Sequence, residues 1–206
     1  MTRTLRVYID YKSPYAYLAI APIYALEDEL GVAIDWLPLD LDIPSYLGSA
    51  RLDGDGKVME QDRSAHQWRR VRYAYMDVRR RANKRGMVIY GTRKIWNSSI
   101  ANAGLLWAKR LGQFRPYNDF VFDKFWRREL DIEDPRIVAA SLDHAGADGA
   151  GFLDWYQEEG LAEVKRIKAE AEEKGVFGVP AFILDGEHYW GAENIDELRQ
   201  RLTRND

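Results

Sequence analysis

Residues 8–18 read Tyr-Ile-Asp-Tyr-Lys-Ser-Pro-Tyr-Ala-Tyr-Leu and predict a strand that runs directly into a helix. Val7 and Ile9 are β-branched and lie beside tyrosines, a composition typical of a strand. Ser13 followed by Pro14 is a helix-start signal, because a serine hydroxyl caps the first turn and proline fits the first helical position. The segment therefore predicts a serine hydroxyl at a helix N-terminus, where free N–H groups can hold an anion or a thiolate. On these residues alone, the commoner role of Ser13 is that of a plain helix cap.

The flanking residues extend this segment to a β-α-β unit. Residues 4–10 predict the first strand and residues 14–30 a largely apolar helix, which Gly31 can end by adopting positive φ. Residues 32–39 alternate in polarity and are rich in β-forming side chains, so they predict a second strand. Because a helix connects them, the two strands are expected to be parallel.

The C-terminal part of the chain predicts a β-β-α unit. Residues 182–184 and 187–190 are predicted to form a hairpin around the Asp185-Gly186 turn. A final helix follows, and its predicted buried face consists of Ile195, Leu198 and Leu202. We expect both ends of the chain to contribute strands to one mixed sheet.

The middle of the chain is almost entirely helical in pattern, from about residue 60 to residue 174. Before it, residues 40–57 predict an irregular loop, because Pro44 and an Asp-Gly-Asp-Gly run interrupt regular structure. The apolar stripe of the first helix in this part is Trp68, Val71, Tyr75, Val78 and Ala82. A third helix is outlined by Tyr117, Val121, Phe125 and Arg128. Two separate helices are predicted further on, over 152–156 and 161–171. We therefore expect one domain made of residues 1–58 and 175–206, and an inserted helical domain of residues 59–174.

Composition excludes several kinds of function. The chain of 206 residues has no cysteine, which excludes disulfides, thiolate metal sites and a redox thiol supplied by the protein. Its three histidines, His66, His144 and His188, lack metal-ligand spacing, so we expect no metal. The net charge of −3 argues against a general nucleic-acid binder. The first residues lack an apolar signal region and no run suffices for a membrane helix, so a cytoplasmic protein that binds no membrane is expected.

The first helix of the insertion is strongly basic. An RNA-binding face is conceivable, but charges opposite an apolar stripe usually form a solvated surface. Some of these arginines could bind a carboxylate instead, because a guanidinium matches a carboxylate geometrically. The basic residues concerned are Arg69, Arg70, Arg72, Arg79, Arg80, Arg81, Lys84 and Arg85.

Two further stretches leave alternatives open. Val179-Pro180 lies directly before a predicted strand. It forms either a cis bond, with the Val179 main chain facing the first helix, or an ordinary trans proline at a strand start. In Trp96-Asn97-Ser98-Ser99, Asn97 or Ser98 is predicted to cap the next helix, and the stretch could also line a pocket.

Taken together, these stretches resemble the DsbA-like branch of the thioredoxin fold. The resemblance rests on Ser13-Pro14-Tyr15, on the run Gly-Val-Phe-Gly-Val-Pro that ends at Pro180, and on Trp190-Gly191-Ala-Glu-Asn-Ile. Within that branch the chain is similar to 2-hydroxychromene-2-carboxylate isomerases and kappa-class glutathione transferases. The insertion also matches the family pattern, at Tyr73, Asp77, Arg80, Ala82 and Gly86. The fold class implied is α/β, a thioredoxin-like mixed sheet with a large all-helical insertion.

The resemblance also implies roles for particular residues. Ser13 stands where DsbA oxidoreductases carry their first active-site cysteine and Ala16 where they carry the second, so dithiol exchange is impossible here. In the isomerase and kappa branch the serine faces the thiol of bound glutathione. The glutathione-binding residues implied are Val179 and Pro180, against the tripeptide backbone, and Glu193 with Asn194, at the γ-glutamyl end, where the family usually has Asp-Arg after a small residue.

The resulting hypothesis is a glutathione-dependent isomerase for a small aromatic or unsaturated carboxylate. Tyr15, Trp96 and Asn97 are the candidates for the substrate pocket. One alternative is a kappa-type glutathione transferase. The other is a thioredoxin-fold binding protein without catalysis, which is favoured by the missing match in residues 45–59 to the family's glutathione-contacting Asn-x-Pro segment. The family also implies a homodimer.

Overall fold

The computed structural model describes residues 3–203, and the predicted β-α-β unit begins the chain. Its elements are β1 (Thr4–Ile9), α1 (Pro14–Leu30) and β2 (Ala33–Pro38). The strands are parallel, with Thr4 opposite Ala33. Gly31 ends α1 at φ 62°, a left-handed conformation that glycine adopts without steric cost. These predictions are confirmed.

Residues 40–61 correct the sequence interpretation. The segment contains α2 (Ile43–Leu47), β3 (Ala50–Leu52) and β4 (Val58–Gln61), and the two strands pair antiparallel. The prediction of an irregular loop over residues 40–57 was therefore wrong. The Asp-Gly-Asp-Gly run is the hairpin turn, in which Asp53 Oδ1 accepts hydrogen bonds from the N–H groups of Asp55 and Lys57, at 3.0 and 2.9 Å.

The helical part follows the hairpin. Its helices are α3 (Ala65–Asn83), α4 (Ser99–Arg110), α5 (Phe114–Trp126), α6 (Pro135–His144), α7 (Gly149–Trp155) and α8 (Leu161–Glu173). Two predictions were wrong here. Arg128 lies beyond α5, because the chain leaves the helix at Arg127 and Arg128 has φ 64°. In addition, α7 and α8 belong to one uninterrupted helical segment, because a π-helical turn over Tyr156–Gly160 joins them and Gly160 keeps helical dihedrals.

The chain returns to the sheet through β5 (Ala181–Leu184) and β6 (Glu187–Trp190), and α9 (Ile195–Thr203) ends the described range. The strand order is β2-β1-β5-β6, with β5 antiparallel to both of its neighbours. The expected mixed sheet with both ends of the chain is thus present. The division at residues 58 and 175 stays a prediction, and β4 spans the first of these positions.

One continuous core joins the sheet to the helical part. Beneath the loop that precedes α1, the Tyr11 ring meets Tyr117 edge-on, with 6.0 Å between centroids. Tyr17 on α1 stacks on Phe122 at 5.1 Å. Aromatic pairs of this kind contribute about 1 kcal/mol beyond their burial. Through these contacts, α5 fixes the position of the first turn of α1.

Candidate active site

Ser13 lies at the N-terminus of α1, as the sequence predicts. Its φ of −97° and ψ of 112° are those of an N-cap residue, and its Oγ accepts a hydrogen bond from the Ala16 N–H at 3.2 Å. The same hydroxyl donates to the main-chain oxygen of Val179 at 3.5 Å. Ser13 is therefore a helix cap that also contacts the loop before β5.

That loop contains a cis peptide bond between Val179 and Pro180. Of the two alternatives left open by the sequence, the cis form is the one observed. Immediately afterwards β5 pairs with β1, with Ala181 opposite Tyr8. The Pro180 carbonyl accepts a hydrogen bond from the Gly191 N–H at 2.9 Å. Sheet pairing thus brings Val179 to the first turn of α1.

A cleft of about 960 Å³ opens in front of this turn. Its walls come from the α1 loop, the α2–β3 region, α3, the loop after α3, and the segments before β5 and after β6. The polar and aromatic groups that line it, with Val179, include Lys12, Ser13, Tyr15, Arg63, Tyr75, Arg79, Lys94, Trp96, Arg128, Phe177 and Trp190.

The lining of the cleft is strongly positive. It contains Lys12, Arg63, Arg70, Arg72, Arg79, Lys94 and Arg128, and no aspartate or glutamate. The whole chain, by contrast, has a net charge of −3. Low-dielectric walls with charges of one sign concentrate the field and attract ligands of the opposite sign. The cleft is therefore suited to anionic ligands.

Lys12, next to Ser13, is held in a buried polar network. Its ammonium is 2.5 Å from Asp40 Oδ1 and 3.6 Å from Asp10 Oδ2, and its side chain is 6% exposed. Ser98 and Ser99 donate to Asp40, at 3.1 and 2.9 Å. Sequence reasoning missed this network, because Asp40 and the two serines carry no local signal of their spatial relation to Lys12.

The two carboxyls of the network shift in opposite directions. Burial raises the pKa of Asp10, and the attraction of Lys12 offsets only part of this effect. Burial also acts to raise the pKa of Asp40, but the charge and hydrogen bond of Lys12 outweigh it, so that the pKa of Asp40 is lowered. The Leu41 N–H, which donates to Asp10 Oδ2 at 2.8 Å, holds the buried carboxyl in place.

Two of the predicted pocket residues line the cleft. Tyr15 donates from its hydroxyl to Asp77 Oδ2 at 3.3 Å, and burial raises its pKa, as do the charge and hydrogen bond of Asp77. Trp96 carries the Lys94 ammonium 4.2 Å from its ring centroid and meets Phe125 edge-on at 5.6 Å. Both rings are therefore fixed by their neighbours.

Asn97 is placed differently. It is not among the residues that line the cleft, and its Oδ1 accepts from the Ser99 N–H at 2.9 Å at the start of α4. Ser98 occupies the N-cap position without a capping hydrogen bond of its own, because its hydroxyl donates to Asp40. The sequence predicted that Asn97 or Ser98 caps α4, and it is the Asn97 side chain that does so.

The remaining predicted glutathione residues lie around the end of β6. Glu193 is exposed on the short 3₁₀ turn Ala192–Asn194, and Asn194 Nδ2 donates to the Trp190 carbonyl at 2.6 Å. Neither lines the cleft, and Pro180 does not line it either. The roles of all these residues in binding stay predictions.

Residues 4–203 match the family described as the DSBA-like thioredoxin domain. The chain belongs to the DsbA-like thioredoxin domain family. The predicted fold class, a thioredoxin-like mixed sheet with a helical insertion, is confirmed by this match and by the strand order.

Two named proteins of similar sequence or structure are isomerases. The chain is 22% identical to the 2-hydroxychromene-2-carboxylate isomerase of Sphingobium xenophagum over 207 residues, which cover 98% of this chain and 99% of the relative. A solved structure of 2-hydroxychromene-2-carboxylate isomerase superposes with a TM-score of 0.73 at 23% identity, covering 97% of this chain and 94% of that one. The predicted resemblance to this group is confirmed.

Another solved structure of the same fold is a cytosolic disulfide reductase of Pseudomonas aeruginosa, determined with GSH. It has a TM-score of 0.61 at 16% identity, over 97% of this chain and 96% of that one. The DsbA-like chain described here has no cysteine, so it cannot use a dithiol of its own.

Between residues 3 and 203, no helix is long and apolar enough to cross a membrane. The same range has no cluster of metal-ligating side chains that could hold a metal ion.

Several residues of the DsbA-like cleft were missed by sequence reasoning. Phe177 and Trp190 lie at its mouth, 4.9 Å apart between ring centroids, and both are more than half exposed. Arg63 and Arg128 line it from segments that the sequence gave no reason to combine. The basic run on α3 was the one available signal, and it contributes Arg70, Arg72 and Arg79.

Proposed function

We propose that the protein is a glutathione-dependent isomerase that acts on a small aromatic or unsaturated carboxylate, in the manner of 2-hydroxychromene-2-carboxylate isomerases. The observation that carries the proposal is the position of Ser13. Its hydroxyl caps α1, contacts the Val179 carbonyl at 3.5 Å, and opens onto a cleft lined by cations and aromatic rings. The sequence similarity to a named isomerase over almost the whole chain supports the same reaction class.

The chemistry of the site fits glutathione. Because the chain has no cysteine, a thiolate held at the α1 N-terminus must belong to a ligand. Glutathione carries carboxylates at both ends, and the lining of the cleft offers basic side chains without a competing acid. Ser13 and Val179, which line the cleft, would hold the tripeptide. A glutathione thiolate supplies a nucleophile that adds reversibly to a conjugated carbon.

Two donors of this chain can stabilise a thiolate at the helix end. Pro14 has no N–H, and the Ala16 N–H is bonded to Ser13 Oγ, so the Tyr15 N–H is the amide of the first turn left for a ligand. The second donor is the Ser13 hydroxyl. Its contact with Val179 is long for an O–H···O bond, and its hydrogen can turn toward sulfur. The helix dipole adds partial positive charge, which lowers the pKa of a bound thiol.

The cleft is large enough for two ligands. Pockets for a single drug-sized molecule range from about 300 to 1,000 Å³. The volume of about 960 Å³ is at the upper end of this range, which leaves room for a small aromatic acid beside a tripeptide. Tyr15 and Trp96 provide fixed aromatic walls, against which a planar substrate can pack while a double bond rotates.

The test has two steps. Calorimetric titration of the purified protein with glutathione should show binding, and incubation with glutathione and 2-hydroxychromene-2-carboxylate should convert the acid without net consumption of the thiol. A stable glutathione adduct in the mass spectrum would instead identify a kappa-type transferase. Absence of binding at millimolar glutathione would contradict both and favour a non-catalytic thioredoxin-fold binding protein.

A further inference from the structure

Two arginines from separate parts of the chain contact the loop that follows α3, and the loop itself contains Arg93. Arg128, after α5, donates from Nε to the Gly91 carbonyl at 2.9 Å. Arg79, on α3, donates to the Ile89 carbonyl, and its Nη2 is 3.1 Å from the point where a Cβ on Gly91 would stand. Arg93 is close enough for its charge to act on Arg128. Arg79 and Arg128 line the cleft.

Within residues 3–203, Arg79 and Arg128 form no salt bridge, and the partners they do have are main-chain carbonyls and tyrosine rings. Burial lowers the pKa of Arg128, and the charges of Arg93 and Arg79 lower it further. Among the other cations of the cleft, Lys12 is paired with Asp40 and Lys94 with Glu133, whereas Arg63, Arg70 and Arg72 likewise form no salt bridge within residues 3–203. Both side chains are exposed, so the two guanidiniums, which have no carboxylate partner, are available to donate to an anionic ligand.

The backbone at Arg128 supports this interpretation independently. Its φ of 64° lies in the left-handed region, at a position after a helix where glycine or asparagine is the usual residue. This conformation is not one that arginine favours. It does, however, direct the Arg128 side chain from the end of α5 to Gly91 at the cleft wall.

Aromatic groups stand beside the two guanidiniums. Tyr75 lines the cleft under Arg79, with the guanidinium 5.6 Å from its ring centroid, and its hydroxyl is 3.1 Å from Thr92 Oγ1. Trp96 lines the same cleft. A ligand with a planar ring and a carboxylate satisfies both features, because the ring packs on the aromatic walls while the carboxylate meets planar nitrogen donors.

We propose that Arg79 and Arg128 form the binding site for the carboxylate of an aromatic acid, on the helical side of the cleft and apart from Ser13. The identification of this acid as the substrate rests on the proposed function, whereas its binding does not. The two guanidiniums fix one end of the acid, so that the unsaturated part is free to extend toward the first turn of α1.

Calorimetric titration without glutathione tests the site, with trans-cinnamate and its neutral isostere cinnamide as probes. The wild-type protein should bind cinnamate at least about tenfold more tightly than cinnamide. Arg79→Gln and Arg128→Asn should each remove most of this preference and leave cinnamide binding unchanged. Asparagine tolerates positive φ, so the second variant is expected to fold. Arg136→Gln is the matched control, because it removes one exposed positive charge of α6 outside the cleft.

Three results would overturn the assignment. The first is equal affinity of the wild type for cinnamate and cinnamide, including no measurable binding of either. The second is an unchanged preference in both variants whose circular dichroism matches the wild type. The third is a loss of glutathione affinity without a loss of cinnamate affinity, which would assign the arginines to a carboxylate of the tripeptide. Each can occur while the wild-type protein still binds glutathione, so failure here is distinguishable from failure of the proposed function.

Discussion

The Tyr15 hydroxyl donates to Asp77 Oδ2 across 3.3 Å and thereby joins the first turn of α1 to α3. Asp77 is 2% exposed, and it also accepts from Arg80 and from Arg81, the latter at 2.9 Å. Burial acts to raise the pKa of Asp77, but the hydrogen bonds from the two arginines outweigh it and the pKa is lowered. The ring of Tyr15, which lines the cleft, is therefore fixed by an ionised carboxylate.

Asp77→Asn tests this arrangement. Because the folded pKa is depressed, the carboxylate stabilises the fold above its unfolded pKa of about 4, and this contribution is lost as the pH falls through the folded pKa. Both guanidiniums are more than half exposed, so solvent weakens the pairs and we expect a loss of about 1 kcal/mol at neutral pH. Urea unfolding at several pH values should show the gap to wild type closing in acid.

The exposed aspartate of α7 provides the control for this prediction. Asp154→Asn should change stability little at any pH. A gap between Asp77→Asn and wild type that stays constant down to about pH 3 would show that ionisation of Asp77 is not its cause.

Ser13→Ala should separate the two roles of the serine. Loss of the cap should lower the free energy of unfolding by about 1 kcal/mol, and loss of the hydroxyl should lower turnover with saturating glutathione by about 100-fold. Asp148→Ala removes an equivalent cap, from α7, and should cost similar stability with unchanged turnover. Equal rates for Ser13→Ala and wild type would remove Ser13 from the mechanism.

Lys12→Met should be among the most destabilising substitutions near the site. It leaves two carboxylates, Asp10 and Asp40, without their shared cation, and breaking a buried ion pair costs about 3 kcal/mol. The pKa values of both carboxyls should then rise, so the stability deficit should shrink as the pH is lowered from about 7 toward 4. Chemical denaturation across this range measures the effect. Lys165→Met, at an exposed position of α8, should show neither the deficit nor its pH dependence.

Gly104→Ala should destabilise the helical part although alanine is the better helix former. A Cβ at Gly104 would stand 2.7 Å from Tyr117 Cζ and 3.0 Å from Val138 Cγ1. Tyr117 is fully buried and donates to the Ala101 carbonyl at 2.9 Å, so it cannot move aside. Overpacking of about 3 kcal/mol should exceed the propensity gain of about 1 kcal/mol.

A lower melting temperature of Gly104→Ala would verify this packing argument. Gly54→Ala is the control, because a Cβ there meets nothing within 4 Å. A Gly104→Ala variant as stable as wild type would show that Tyr117 can relax. It would then also weaken the inference that α5 fixes the Tyr11 loop through Tyr117.

The errors of the sequence interpretation have identifiable causes. In the hairpin, β3 has three residues and β4 has four, and strands this short show no periodic pattern in the sequence. The gap between the two predicted helices contains Gly160, and glycine often interrupts helices, but in the π turn Tyr156–Gly160 it keeps helical dihedrals. Arg128 continued the apolar spacing of α5, but its φ of 64° places it outside the helix.

The sequence by itself determined the local chemistry of this protein. A serine and a proline after a β-rich run start α1, Gly31 ends it, and a chain without cysteine must take any catalytic sulfur from a ligand. Only the tertiary structure decided which distant groups meet: Ser13 with Val179, 166 positions apart, and Lys12 with Asp40. The physical reason is the separation along the chain over which each kind of interaction acts. Capping and turn preferences act within a few residues, whereas the packing of whole elements decides which charges become partners and leaves Arg79 and Arg128 without a carboxylate among residues 3–203.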